Sequence, residues 1–463
     1  MRITIVGGGP AGYEAALVAA QLGAEVALVD RDGPGGSCVL TDCVPSKTLI
    51  ATSEAMTALA NSPSLGVRLA GAEPITPDAV EVDPQHVFER VKALAAAQSA
   101  DIRRRLVSEG VRIVEGSGRL TGPRSVAVTP NGSAEVSETI ESDVVLLALG
   151  AAPRVLATAQ PDGERILNWR QVYDLPDLPE HLIVVGSGVT GAEFANAFRA
   201  LGSKVTLVSS RDRVLPNEDA DAANVLEEVF ARRGLEVMKQ ARASIVRREG
   251  DKVIVECEDG RAVEGSHVLM AVGSIPSTAG LGLAEAGVQL DPSGNILVDK
   301  VSRTTVPTVY AAGDCTGVLL LASVAAMQGR IAMWHAMGEA VEPLRLGSVA
   351  ATIFTEPEIA TVGVTQADVE SGVVFGQVKK LPLATNARAK MQGITDGFIK
   401  LICRPESGKV LGGVIVAPRA SELILPLAMA VQLGLTVDQV AHTFSIYPSL
   451  SGSLTEAARQ LHQ

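Results

Sequence analysis

Aromatic side chains are scarce in this chain: Phe, Trp and Tyr make up 3% of its 463 residues. That argues against a stacking platform for single-stranded nucleic acid, which needs rings beneath successive bases. Basic charge is in deficit as well. The chain has 40 Lys and Arg against 52 Asp and Glu, a net charge of -12, whereas phosphate backbones are held by a basic face. No apolar run reaches the roughly 18 to 20 residues that span a bilayer. The best candidate, Gly317 to Met327, is too short. The N-terminal Met1-Arg2-Ile3-Thr4-Ile5-Val6 enters a strand at once, without the basic and then apolar stretch of a signal peptide. The expectation is a cytoplasmic protein with no nucleic-acid partner and no membrane span.

Cysteine is sparse too. Cys38, Cys43, Cys257, Cys315 and Cys403 are too few for a disulfide-built scaffold in so long a chain. No His/Cys cluster has zinc spacing, so no metal is expected. In a reducing compartment, a close pair such as Cys38 and Cys43 points to catalysis, while Cys257 and Cys403 read as core or strand residues.

Glycine, by contrast, is abundant. The 45 glycines are spread along the chain, which implies tight turns and close backbone approaches rather than a linker. A chain of this length exceeds one core, so two to four domains are expected.

Two glycine clusters stand in a defined context. Gly7-Gly8-Gly9-Pro10-Ala11-Gly12 follows the apolar run Ile3 to Val6 and opens a predicted helix, Tyr13 to Leu22. A second strand, Glu25 to Val29, ends in Asp30. Gly186-Ser187-Gly188-Val189-Thr190-Gly191 follows Leu182 to Val185 and opens a predicted helix, Ala192 to Leu201; its second strand is Lys204 to Val208. In each, the first Gly permits the sharp turn, the second admits a pyrophosphate, and the third lets helix and strand pack closely. The phosphate then meets the free N–H groups of a helix start. One such cluster alone is equally well an ordinary βα turn. Two in context point to two dinucleotide sites.

The residues closing the second strands differ. Asp30 is placed to accept hydrogen bonds from a ribose diol. The equivalent position after the second cluster is Ser209, followed by Ser210, Arg211 and Arg213. A Ser followed by Arg tolerates a 2′-phosphate that an acidic residue would repel. This favours NADPH without excluding NADH; the other reading of Arg211 and Arg213 is a pair of solvated loop charges.

Between the two clusters lies Gly35-Gly36-Ser37-Cys38-Val39-Leu40-Thr41-Asp42-Cys43-Val44-Pro45-Ser46-Lys47. Four residues separate the cysteines, few enough for a closed disulfide. Cys43 is expected near a helix start, a position that lowers a thiol pKa. On spacing alone, two ordinary reduced cysteines fit as well.

The segment resembles the GGxCxxxxCxPSK signature of the class I flavoprotein disulfide reductases, and the likeness extends over essentially the whole chain. Gly7 to Gly12 with Asp30 resembles that family's FAD finger, and Gly186 to Gly191 its NAD(P) finger. Ala148-Leu149-Gly150 with Pro153 resembles the crossover out of the FAD domain, and Ala271-Val272-Gly273 with Pro276 the return. Tyr310-Ala311-Ala312-Gly313-Asp314 resembles the second FAD motif. The resemblance implies FAD and NAD(P)H as cofactors. It places FAD on Gly7, Gly9, Pro10, Ala11, Gly12, Asp30, Gly36, Ser37, Lys47, Gly150, Gly313 and Asp314. It places the nicotinamide dinucleotide on Gly186, Gly188, Val189, Gly191, Glu193, Ser209, Arg211 and Gly273. Cys43 becomes the thiol next to the flavin, Cys38 the interchange thiol, and Lys47 a partner of Glu193 near flavin N5. Cys315 receives no role.

One signature departs. The family ends in roughly HxHPTxxE, whose second His exchanges protons with the thiols and whose Glu orients it. Here the stretch is Ser445-Ile446-Tyr447-Pro448-Ser449-Leu450-Ser451-Gly452, with Tyr447 in place of the His and Gly452 in place of the Glu. Imidazole titrates near neutral pH, whereas a phenol with an ordinary pKa near 10 is a poor acid–base catalyst there. His442, five residues before Tyr447, is either a substitute or a structural imidazole. The exit toward a disulfide substrate therefore looks closed, and a quinone reduced at the flavin is the expected small-molecule acceptor. The chain looks most similar to an actinobacterial branch of lipoamide dehydrogenase homologues that act as NAD(P)H:quinone reductases. The alternatives are a dihydrolipoyl dehydrogenase or other low-molecular-weight disulfide reductase, and a flavin-bearing binding protein with little turnover.

The expected fold is α/β, with two Rossmann-like dinucleotide-binding domains and a C-terminal α+β dimerisation domain. Residues 1–153 begin the FAD domain and include a helical insertion near His86 to Ser108. Residues 154–267 form the NAD(P) domain, 268–342 complete the FAD domain, and 343–463 form the interface of an implied homodimer.

Overall fold

Apolar runs without alternation read as strands covered on both faces. Arg2–Val6, Glu25–Asp30 and Val144–Leu147 are such runs, and their interior positions are buried. In the computed structural model, which describes residues 1–68 and 80–462, they lie side by side in one parallel sheet. Its spatial order is Val309–Ala311, Val144–Leu147, Arg2–Val6, Glu25–Asp30, Arg112–Glu115.

The helix Pro10–Gln21 buries a face of small residues, including Ala11, Ala15, Ala16 and Ala19. Their size admits the helix Ala322–Ala336 so closely that a Cβ on Gly329 would lie 2.2 Å from the carbonyl oxygen of Ala11. Ile3, Ile5, Leu28, Leu146 and Met333 share this core with Leu106, near the end of the predicted insertion, a helix Pro84–Ser108. A three-stranded antiparallel sheet, Ser117–Gly122, Ser125–Thr129 and Glu138–Glu141, completes this unit of residues 1–48, 88–154 and 273–344.

The second unit holds residues 49–87, 155–272 and 345–463. It repeats the parallel arrangement, in the order Glu236–Met238, Lys204–Val208, His181–Val185, His267–Met270, Ile166–Asn168. It also carries a five-stranded antiparallel sheet, in the order Ala350–Ile353, Glu358–Gly363, Val410–Ala417, Phe398–Cys403, Gln377–Pro382. The helices Ala420–Leu433, Val437–Ala441 and Gly452–Arg459 pack their apolar faces on the core of this sheet.

Within this unit a lysine is enclosed. Lys400, in the strand Phe398–Cys403, is 1% exposed. Its ammonium donates to both carboxylate oxygens of Asp219, at 2.9 and 2.7 Å, and pairs with Asp221 at 2.7 Å. Asp219 also caps the helix Ala220–Arg232, accepting from the Ala222 N–H at 3.2 Å.

Both finger helices start three residues earlier than the sequence pattern predicts, at Pro10 and at Val189. Pro with its fixed φ is suited to a first helical position. The third glycine of each finger therefore lies inside the first turn.

Candidate active site

The glycines of the first finger are there for want of space. Gly7 has φ +105°, and a Cβ on it would stand 2.1 Å from the Ala148 carbonyl oxygen. A Cβ on Gly12 would stand 1.8 Å from the Gly7 oxygen. Gly9 is different: its Cβ direction meets nothing within 4 Å. Gly9 also begins the helix Pro10–Gln21 without a side-chain cap, so first-turn N–H groups such as those of Ala11 and Gly12 have no side-chain acceptor. Room and free donors coincide where a pyrophosphate would lie. Asp30 closes the second strand as expected. Its carboxylate accepts from three backbone N–H groups: Gly8 at 2.5 Å, Asp32 at 2.9 Å and Gly33 at 2.6 Å. A carboxylate has about four acceptor sites, so capacity remains for a ribose hydroxyl.

The cysteine segment folds back onto this finger. The Gly35 N–H donates to the Gly8 carbonyl at 2.7 Å, and a Cβ on Gly36 would stand 2.7 Å from the Gly9 Cα. Gly36–Leu40 is a short helix carrying Ser37 and Cys38, and Cys43–Asn61 is a long one that opens on Cys43. The Ser46 N–H donates to the Asp42 carbonyl at 2.8 Å, which makes Asp42 the N-terminal cap residue of the long helix. Cys38 and Cys43 are both free thiols, partly buried. Their side chains are hydrogen-bonded to each other.

That bond couples the ionisation of the two thiols. Cys38 is held below its ordinary value, first by its hydrogen bond with Cys43. Cys43 is pushed up, first by losing that bond on ionising, then by burial and by the Cys38 and Asp42 charges. Lys47 favours ionisation of both. Asp314, at the head of the turn Asp314–Thr316, is raised to about 6 by burial and then by the Asp42 charge. Its neighbour Gly313 has φ +84° and donates its N–H to the buried Gln328 amide oxygen at 2.9 Å. Gln328 carries no motif in the sequence; only the fold shows that it fixes this turn.

The two crossovers meet. Ala151–Pro153, after Gly150, pairs antiparallel with Ser274–Pro276, after Gly273. The glycines have φ +65° and +94°, the left-handed region that favours Gly.

The second finger repeats the first. A Cβ on Gly186 would stand 2.2 Å from the Ala271 oxygen, one on Gly191 would stand 1.8 Å from the Gly186 oxygen, and Gly188 faces open space. The helix Val189–Ala200 begins at Gly188 with no side-chain cap. Glu193, on that helix, is buried and accepts from the Phe354 N–H at 2.9 Å. Ser209 is buried, hydrogen-bonded to the Ser187 hydroxyl at 2.7 Å and to the Arg211 N–H at 3.1 Å. Arg213 is turned inward, donating to the Pro216 and Glu218 carbonyls at 3.0 and 3.4 Å. Arg211 is exposed. Of the two arginines, one is thus committed to its own loop.

The C-terminal signature is displayed rather than packed. Phe444, Ile446 and Tyr447 are exposed, Tyr447 to 85%. Gly452 opens the helix Gly452–Arg459, and its N–H donates to the Ser449 hydroxyl at 3.1 Å. His442 is exposed at the end of Val437–Ala441, with its ring edge-on to His462 at 6.4 Å. Cys257 and Cys403 are buried at the ends of their strands, as expected, and buried Cys315 donates to the Ala312 and Leu147 carbonyls.

The profile of the pyridine nucleotide-disulphide oxidoreductase family matches residues 1–329, and that family's dimerisation-domain profile matches residues 349–458. The chain belongs to the pyridine nucleotide-disulphide oxidoreductase family. It is 56% identical over 99% of its length, and 94% of the relative's, to an NAD(P)H dehydrogenase (quinone) of Mycobacterium tuberculosis. It is 34% identical, over 99% of its length and 95% of the relative's, to a dihydrolipoyl dehydrogenase of Haloferax volcanii. The crystal structure of LpdA from Mycobacterium tuberculosis superposes with a TM-score of 0.94 at 55% identity, covering 100% of each chain. The HOCl-induced flavoprotein disulfide reductase RclA from Escherichia coli, at 24% identity and full coverage of both chains, shares the fold with a TM-score of 0.87.

The chain is therefore an oxidoreductase of a family that works with FAD and NAD(P)H. Both fingers fit a dinucleotide, on the observed combination of an open Gly, uncapped N–H groups and crowded flanking glycines. Among the described residues there is no cluster of metal ligands and no helix long and apolar enough to cross a membrane.

Proposed function

We propose that this oxidoreductase passes reducing equivalents from NAD(P)H to a quinone, and that the Cys38–Cys43 pair does not serve an outside disulfide. The observation that carries the reading is the C-terminal segment, where an exposed Tyr447 and a bare Gly452 stand in place of the family's His and Glu. The 56% identity to a protein named NAD(P)H dehydrogenase (quinone) supports it. Bound FAD supplies the chemistry: it accepts hydride and returns electrons to an acceptor.

The chain's own residues do the holding and orienting. The uncapped helix starts at Gly9 and Gly188 bind the two pyrophosphates through N–H groups. Asp30 receives a ribose hydroxyl and Asp314 the flavin's side chain. Lys47 and Glu193 act at the reacting end of the cofactors. Residues 343–463 form a homodimer interface, supported by the exposed Leu425, Met429, Leu433, Phe444 and Ile446 on that segment. The nucleotide-binding stretches are 1–153 with 268–342, and 154–267. Free cysteines fit a reducing cytoplasm, and the net charge of -12 speaks against nucleic acid as a partner.

The test is NADPH oxidation with benzoquinone and with lipoamide, in wild type and Cys43→Ser. Lipoamide turnover is expected to lie at least about a hundredfold below quinone turnover, as loss of acid–base help requires. Cys43→Ser is expected to leave quinone turnover within roughly threefold, since the thiol is off that route. Rapid lipoamide turnover by the wild type would overturn the reading.

For the nucleotide, Arg211 is the residue we assign to the 2′-phosphate, because Arg213 is engaged with its own loop. Arg211→Ala is expected to raise KM for NADPH roughly tenfold, the worth of one charge-assisted hydrogen bond. KM for NADH should stay within about twofold. Equal changes for both nucleotides would remove Arg211 from this role.

A further inference from the structure

The two glycine fingers repeat each other contact for contact. The N–H of Gly7 donates to the Val29 carbonyl at 2.8 Å, and that of Gly186 to the Val208 carbonyl at 2.9 Å. The next residue accepts from the loop beyond the second strand: the Gly8 carbonyl from Gly35 at 2.7 Å, the Ser187 carbonyl from Leu215 at 2.8 Å. The Asp30 side chain accepts the N–H two residues on, from Asp32 at 2.9 Å, and Ser209 likewise accepts that of Arg211 at 3.1 Å. Gly8 and Ser187 are therefore equivalent positions, as are Asp30 and Ser209.

The repeat shows that these two positions depend on each other. The Gly8 N–H meets the Asp30 carboxylate at 2.5 Å, and a Cβ on Gly8 would stand 3.0 Å from its Oδ2, 3.1 Å from its Cγ and 3.3 Å from its Cβ. All three lie inside the roughly 3.5 Å at which such atoms pack best. A carboxylate that closes the second strand thus needs no side chain opposite it. In the second finger both residues differ. Ser187 and Ser209 are buried, and their hydroxyls meet at 2.7 Å. A hydroxyl has one proton and two lone pairs. The Ser209 proton goes to the Arg211 carbonyl at 3.2 Å, and its lone pairs take the Arg211 N–H and the Ser187 O–H. Ser209 has nothing left to offer a ribose.

We propose that Ser187, a residue the family reading assigns no role, determines nucleotide specificity: it fills the space that a carboxylate at position 209 would need and holds Ser209 inward, so the ribose corner carries no acceptor and is left to Arg211 and a 2′-phosphate. The preference is then set by positions 187 and 209 together, not by the strand-closing residue alone. The inference rests on reading the second finger as the NAD(P) site.

The oxidised, FAD-bound enzyme is titrated with NAD⁺ and with NADP⁺ by isothermal calorimetry, which involves no acceptor and so leaves the quinone reading aside. Ser209→Asp alone is expected to weaken NADP⁺ at least about tenfold by repelling the 2′-phosphate. It should leave NAD⁺ within about threefold of wild type, because its carboxylate is crowded by Ser187. Ser187→Gly with Ser209→Asp recreates the pair of the first finger. That double variant is expected to bind NAD⁺ about tenfold more tightly, the worth of one charge-assisted hydrogen bond to the diol. Ser187→Gly alone supplies no charged acceptor and should leave NAD⁺ within about threefold. Equal NAD⁺ affinity in Ser209→Asp and in the double variant would overturn the proposal, since Ser187 would then make no difference. NADP⁺ binding unchanged in both would instead remove the nucleotide from this finger, and the proposal would fall with that reading. Should Ser209→Asp unfold before it can be titrated, thermal unfolding followed by flavin fluorescence reads the same conflict. Adding Ser187→Gly is then expected to restore a folded, titratable enzyme, and failure to restore it would overturn the proposal.

Discussion

Lys400→Met is expected to destabilise the second unit by about 3–5 kcal/mol, the usual cost of removing one partner of a buried ion pair. The ammonium is 1% exposed and holds Asp219, itself 5% exposed, with bonds of 2.9 and 2.7 Å. Met fills the volume but leaves the Asp219 carboxylate enclosed without a cation. That anion retains only its capping bond from the Ala222 N–H, and an unpaired buried charge is what makes such losses large. The arrangement also ties the strand Phe398–Cys403 to the start of the helix Ala220–Arg232, two segments 181 residues apart in sequence. The double variant Lys400→Met with Asp219→Asn removes both charges and keeps a capping side chain. It should be less destabilised than the single variant, giving a coupling of at least about 1 kcal/mol in a double-mutant cycle. The exposed pair Arg103–Glu115, 43% and 65% exposed, is the natural control. Breaking it should cost under about 1 kcal/mol. Urea unfolding followed by far-ultraviolet circular dichroism measures the wild type, Lys400→Met, Asp219→Asn, the double variant and the control. A Lys400→Met loss no larger than the surface control would mean that the pair is hydrated in solution and carries no special weight.

Much of the fold was legible because its demands fall on single residues. Gly7, Gly12, Gly186 and Gly191 each occupy a position where a Cβ would stand 1.8 to 2.2 Å from a carbonyl oxygen. No other residue fits, so the sequence has to show a Gly. The apolar strands were legible for a similar reason, as a parallel sheet covered on both faces leaves no alternation to misread. What stayed hidden depends on partners distant in sequence or on competition between near ones. Lys400 in Phe398-Ile399-Lys400-Leu401 reads as an outward residue of an alternating strand, and its carboxylates lie far earlier in the chain. Arg213 looks equivalent to Arg211 until the loop closes on its guanidinium. Cys43 looks like the reactive thiol if the helix start is considered alone. Its hydrogen bond with Cys38, which couples the two thiols, shows only in the fold.

The missing His and Glu can be restored, and doing so should reopen the disulfide route. Tyr447→His with Gly452→Glu is expected to raise lipoamide turnover by at least about a hundredfold, the lower end of what a positioned acid–base group contributes. The fold has room for both changes. Tyr447 is 85% exposed, so a smaller ring leaves no cavity. A Cβ on Gly452 would meet only the Ser449 and Ser445 hydroxyls, at 3.6 and 3.7 Å, which is ordinary contact. Gly452 is the first residue of its helix, where an acidic side chain is favourable by roughly 0.3–1 kcal/mol, and the Ser449 hydroxyl still receives its N–H. Tyr447→His alone should gain less, because an imidazole without a carboxylate is held in neither tautomer nor direction. The pH profile distinguishes chemistry from mere binding. The double variant should acquire a limb near the ordinary imidazole value of about 6.5, while quinone turnover keeps the wild-type profile. A double variant as inert toward lipoamide as the wild type would sink the idea that the absent His and Glu close this exit. The division of labour between thiols and flavin would then have to be sought in the approach of the disulfide itself.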